Sequence, residues 1–140
     1  MPLTIHLDVV SAEALIFSGP VTQVVVPAEA GEVCILARHA PLLTRLRAGL
    51  VRLKTRFGEE QAFFVSSGFL EVQPDWVTVL ADTVRRTHEM DETAARRAIE
   101  QAHHALAAHP SPADYERLKT ELEMELALLR AIDQLRRRTA

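Results

Sequence analysis

A β-sandwich followed by an α-helical hairpin is the fold this sequence predicts, and three observations carry it. All five glycines and all thirteen valines lie before residue 87. Eleven alanines lie between Ala94 and Ala140, accompanied by Glu, Arg and Leu. β-Branched residues favour strands and alanine favours helix. The first part is also cut into short segments by turn residues, at roughly the 8–12-residue spacing of a sandwich or flattened barrel. Residues 1–87 therefore read as one domain and residues 88–140 as another.

The strands follow in order. Thr4 to Val10 alternates, with Ile5, Leu7 and Val9 on one face. Ala14 to Ser18 is short and ends at a Gly19-Pro20 turn. Val21 to Pro27 carries Val24, Val25 and Val26. Gly31 turns the chain into Val33–Leu36, an apolar run that includes the single cysteine. A polar corner at Arg38-His39 and the break at Pro41 lead into Leu42–Arg47. Leu50 to Phe57 alternates cleanly and Gly58-Glu59 forms a hairpin turn. Gln61–Ser67, Phe69–Gln73 and Trp76–Asp82 complete the set.

The helices carry their own punctuation. Asp91 is an N-cap for a helix to about Ala108, with an apolar stripe of Ala95, Ala98, Ile99, Ala102, Ala105 and Leu106. His109-Pro110 stops it. Ser111 caps a second helix, with Pro112 in its first position and Asp114 at its positive end. That helix runs to about Arg138, with Tyr115, Leu118, Leu122, Leu126, Leu129 and Ile132 as its stripe. A short link makes the pair antiparallel. An alanine seam removes little area from water at ~25 cal/mol per Å². The hairpin is expected to be weakly held, and able to leave its docked position without unfolding the sandwich.

The bulk numbers bound the function. Apolar residues make up 48% of 140, enough for a packed core. A net charge of −3 argues against nucleic acid or an anionic membrane as the main partner. No apolar run approaches the ~20 residues that span a bilayer. The opening Met1-Pro2-Leu3-Thr4-Ile5-His6 lacks the basic and apolar regions of a signal peptide. One cysteine, Cys34, suits a reducing compartment and is expected to be a buried structural thiol.

Candidate chemistry is sparse. His103 and His104 point about 100° apart on a helix and are not spaced to chelate a metal. Glu121, Glu123 and Glu125 scatter around their helix. Ser66-Ser67-Gly68 lacks the frame of a nucleophile turn and leads into a strand, so it reads as a strand end. A hydrolase built on Ser67 or His39 has no base beside its nucleophile. Arg136-Arg137-Arg138 either complements a helix dipole or forms a cationic tip for an acidic partner. No enzyme is expected; a β-sandwich adaptor for an unrelated partner is the alternative.

Three segments, kept in order and spacing, resemble bacterial epsilon subunits of F-type ATP synthase. They are His6-Leu7-Asp8-Val9-Val10-Ser11-Ala12-Glu13; Gly31-Glu32 with His39-Ala40-Pro41-Leu42-Leu43-Thr44; and Gly68-Phe69-Leu70-Glu71-Val72 running through Trp76 to Asp82. The resemblance implies a ten-stranded β-sandwich carrying the hairpin. It implies a non-catalytic rotor subunit of a proton-translocating complex, peripheral on the cytoplasmic face of the bacterial inner membrane. The implied partners are the gamma subunit and the c-ring, with transient contacts to the alpha and beta subunits, and no obligate homo-oligomer. Glu32, Arg38, His39, Ala40, Pro41 and Leu42 correspond to the gamma and ring interface. Arg136, Arg137 and Arg138 correspond to the inhibitory tip. The hairpin is implied to restrain ATP hydrolysis. Some relatives bind ATP where Met90-Asp91-Glu92-Thr93-Ala94-Ala95 stands here. The arginine of that pattern is replaced by Ala94, so Asp91 reads as a cap and no cofactor is expected.

Overall fold

A computed structural model describes residues 3–139, with side chains described to Arg138. The strands are β1 (Ile5–Ser11), β2 (Leu15–Ala28), β3 (Gly31–Leu36), β4 (Leu42–Leu46), β5 (Gly49–Thr55), β6 (Glu60–Val65), β7 (Gly68–Gln73), β8 (Trp76–Ala81) and β9 (Val84–Arg86). A single 3₁₀ turn, Thr87–Glu89, precedes α1 (Glu92–Ala107) and α2 (Pro112–Thr139). One compact unit ends at Thr87 and a second begins at His88.

The nine strands form one continuously bonded sheet folded on itself as a sandwich. All pairings are antiparallel except β1 with β8. The spine is β2. Its first half pairs with β1, from Val21 opposite Ile5 to Leu15 opposite Val10. Its second half pairs with β3 on one side and β5 on the other. An irregularity between Val21 and Gln23 marks where the strand changes partners. Such a bulge bends a strand from one layer toward the next.

Nine strands are described where the resemblance implied ten. Gly19 and Pro20 do not turn the chain; they stay in the ladder opposite Leu7 and His6. Two segments read as separate strands are thus one 14-residue strand. Conversely, β9 was not anticipated from sequence; it adds to the edge of β6 through Phe63, Phe64 and Val65.

Alternation builds the core. Ile5, Leu7 and Val9 of β1 face inward with Val24, Val26, Ile35, Val51, Leu53, Leu70, Val72, Val77 and Val79. Cys34 departs from expectation: it is exposed. It shares its parity with exposed Glu32 and Leu36, while Ile35 between them is fully buried. Pleat parity, not the local apolar run, decided its side.

Gly68 begins β7 between β4 and β8, with φ of +158°. A Cβ there would lie 1.9 Å from the Leu80 carbonyl oxygen. Only glycine permits that approach.

In the second unit, the Asp91 carboxylate accepts from the Ala94 amide at 3.1 Å, capping α1. His109, at φ of +54°, takes the left-handed conformation that ends a helix, and Pro110 prevents its resumption. The Ser111 hydroxyl accepts from the Asp114 amide at 3.3 Å at the start of α2. The buried stripe of α2 differs from expectation. Of the expected positions Ile132 is buried, Tyr115 is exposed, and Leu118, Leu122, Leu126 and Leu129 are half-buried; Ala127, Leu128 and Ala131 are buried instead. Two helical registers overlap on this helix, and burial favours the one containing small side chains, which admit closer approach.

Candidate functional site

The corner after β3 is built by backbone bonds. Arg38 takes φ of +64°, and its amide donates to the Pro74 carbonyl at 2.9 Å. The His39 amide donates to Leu36 at 3.2 Å. The His39 ring nitrogen Nδ1 lies 2.7 Å from the Ala40 carbonyl oxygen, so this nitrogen carries the proton and donates. Arg38, Ala40 and Pro41 are exposed, and His39 and Leu42 half-buried. Beside them, Pro41, Leu42, Leu43, Glu71 and Gln73 line a shallow groove of about 370 Å³.

Glu32 lies at the other end of β3, next to the turn from β2 and opposite Pro27. Its Oε2 accepts from Arg52 Nη2 of β5 at 2.7 Å. Sequence reading placed Glu32 but missed Arg52, which stands 20 residues away. It also missed an exposed apolar band on the outer face of β4, β7 and β8: Leu43, Phe69, Trp76 and Leu80. The signal was present in the alternation, because Phe69 shares its parity with Glu71 and Gln73. Arg45 covers part of this band, its guanidinium 5.8 Å from the Phe69 ring centroid.

Three side chains superficially suggest a hydrolytic triad. His6 Nε2 lies 3.0 Å from Asp8 Oδ1 and 3.2 Å from Ser18 Oγ, with Trp76 stacked at 4.2 Å. The Ser18 hydroxyl, however, donates to Asp8 at 2.6 Å, leaving no proton for the imidazole to remove. Ser67 likewise donates to Asp82 at 2.7 Å. Among the described residues, no cluster of three His, Cys, Asp or Glu side chains is placed to hold a metal ion. Among the described residues, no helix is long and apolar enough to cross a membrane.

The mouth of the hairpin is an ion-pair cluster. Glu92, in the first turn of α1, accepts from Arg96 at 3.1 Å and from Arg136 near the end of α2. Arg136 first, then Arg96, holds the Glu92 carboxyl below its ordinary range. Arg137 pairs with Asp133 at 2.8 Å within α2. Arg136 and Arg137, both expected at a tip, therefore already face carboxylates of their own chain. A cleft of about 300 Å³ here is lined by Glu92, Arg96, Leu126, Leu129, Arg130, Asp133 and Arg136. Asp91 is not among its lining residues, since its carboxylate caps α1.

Residues 4–87 match the family model described as ATP synthase, Delta/Epsilon chain, beta-sandwich domain. The ATP synthase epsilon chain of Nitrosococcus oceani is 49% identical over 138 residues, covering 99% of each chain. That of Alkalilimnicola ehrlichii is 48% identical over 135 residues, covering 96% of each. Among solved structures, a chain of the Euglena gracilis mitochondrial ATP synthase superimposes with a TM-score of 0.83. It is 23% identical, covers 94% of this chain and 83% of its own, and shares the fold. A chain from the central stalk and c-ring of Tetrahymena thermophila mitochondrial ATP synthase gives a TM-score of 0.59 at 11% identity, covering 93% of this chain and 97% of its own. On its sequence and its sandwich domain, the chain belongs to the ATP synthase epsilon chain family.

Proposed function

We propose that this chain is a non-catalytic central-stalk subunit of a proton-translocating F-type ATP synthase. It sits at the cytoplasmic face of a bacterial inner membrane and is held there through the complex. The sandwich docks on gamma and on the c-ring. The hairpin, when it opens toward the alpha and beta subunits, restrains ATP hydrolysis. One observation carries this reading: family membership extends over a chain made of two compact units with different kinds of support. The exposed band of Leu43, Phe69, Trp76 and Leu80 supports a protein partner on the sandwich. The exposed corner from Arg38 to Leu42 after β3, and exposed Glu32 at the start of β3, support further polar contacts. At the hairpin, the Glu92–Arg136 pair ties the start of α1 to the end of α2. Arg136, Arg137 and Arg138 would exchange their intramolecular partners for acids of the catalytic head when the hairpin extends. ATP is not required by this scheme, because Asp91 caps α1 and Ala94 stands where the nucleotide-binding relatives carry arginine.

The test is reconstitution. Full-length chain added to an epsilon-free catalytic head containing gamma should bind and lower ATP hydrolysis. A chain ending near Thr87 should still bind and should not inhibit. Failure of the full chain to bind gamma would remove the proposal. Inhibition that survives loss of the hairpin would reassign the switch to the sandwich.

A further inference from the structure

We propose that Arg52 is the positioning residue of the docking edge: it fixes the Glu32 carboxylate as an oriented acceptor for a hydrogen-bond donor on the c-ring. Glu32 and Arg52 stand on β3 and β5, which flank β2 on opposite sides. Glu32 is opposite Pro27, and Arg52 is opposite Val25, so all four share one face of the sheet. The Arg52 side chain therefore crosses β2 to reach Glu32, a span of two strand spacings, or ~10 Å. The two ends of the pair are unlike. The Arg52 side chain is 22% exposed, whereas Glu32 is 53% exposed.

This asymmetry assigns the roles. The guanidinium lies against the sheet and the carboxylate stands in solvent. Arg52 Nε is buried and has no hydrogen-bond partner among the described residues. A buried donor without a partner is costly. Burying one side of the guanidinium is tolerable only because its outer nitrogen meets a full negative charge at 2.7 Å. The same contact occupies one oxygen of Glu32 and removes much of its rotational freedom. A long exposed acid otherwise loses that freedom on binding, which weakens the contact. Lysine would not serve equally, because its compact ammonium is more strongly hydrated than a guanidinium and sits on a flexible stem.

The assignment rests on the docking role proposed above, and the two are separable by experiment. Binding of full-length wild type, Arg52→Met, Glu32→Gln and the double variant would be measured against gamma alone and against gamma assembled with its c-ring. Thermal unfolding of each would be recorded. Arg52→Lys serves if Arg52→Met does not fold. Arg52→Met is expected to weaken binding to the ring-containing assembly about tenfold and to leave binding to gamma alone unchanged. In the Glu32→Gln background the same change should have little further effect. An equal loss with and without Glu32, or a parallel loss against gamma alone, would overturn the positioning role. No binding of wild type to either assembly would instead overturn the docking reading itself.

Discussion

The sandwich and the hairpin keep their shape by different physical means. Sandwich side chains such as Leu7, Val24, Val51 and Leu70 are wholly buried, and their strands pair across long stretches of sequence. In the hairpin, four of the six buried apolar residues (Ala95, Ala102, Ala127, Leu128, Ala131, Ile132) are alanines. Its specific connections are the Asp91 cap and the ion pairs around Glu92. Apolar burial is indifferent to pH and resists salt, whereas exposed ion pairs respond to both. The two units therefore differ in what holds each together, and the second is expected to respond to pH and salt where the first does not.

Breaking the sandwich needs one atom in the wrong place. Gly68→Ala puts a methyl group against the Leu80 carbonyl, and neither β4 nor β8 can yield without losing pairing. Destabilisation of about 3 kcal/mol or more is expected in denaturant unfolding. Unfolding unchanged by this substitution would mean the β7–β8 approach is looser than it looks.

On the hairpin side the expected effects are smaller. Asp91→Ala removes the cap from α1 and should cost ~1 kcal/mol, with Asp91→Asn costing much less. Helix content by circular dichroism, followed through thermal unfolding, would distinguish them. A loss confined to helical signal, with sandwich unfolding intact, would confirm that the two units are supported separately.

The smallest effect is also the most diagnostic. Because Arg136 and Arg96 depress the Glu92 carboxyl, the ionised form is favoured in the folded hairpin. The folded state then binds fewer protons than the unfolded state, so this contribution is present above the unfolded carboxylate pKa. It is lost as pH falls through the folded value. Helix stability should decline on acidification across that window, less so in high salt, and Glu92→Gln should flatten the profile. An unchanged profile in Glu92→Gln would assign the pH response to other carboxylates.

Much of this was legible in residue order. The caps at Asp91 and Ser111 use local hydrogen bonds, and their side chains sit within three residues of the amides they accept from. The stop at His109-Pro110 is equally local. Inward alternation in β1 follows from the two-residue pleat. The Arg38–Leu42 corner was legible as a break, but its backbone anchor to Pro74 was not.

Sequence by itself determined the change from strand to helix, the positions of most elements and the composition of the core, because propensity, period and capping act over a few residues. Tertiary structure alone decided the rest. Gly19-Pro20 reads as a turn, yet pairing with β1 carries the chain straight through it. Cys34 reads as core, yet the pleat turns it outward beside Glu32. Glu32 reads as a lone exposed acid until β2 brings β3 and β5 together and Arg52 reaches it. Glu92 meets Arg136 only because the hairpin closes. Each of these outcomes depends on which strand or helix lies beside another, and no local preference encodes that neighbour.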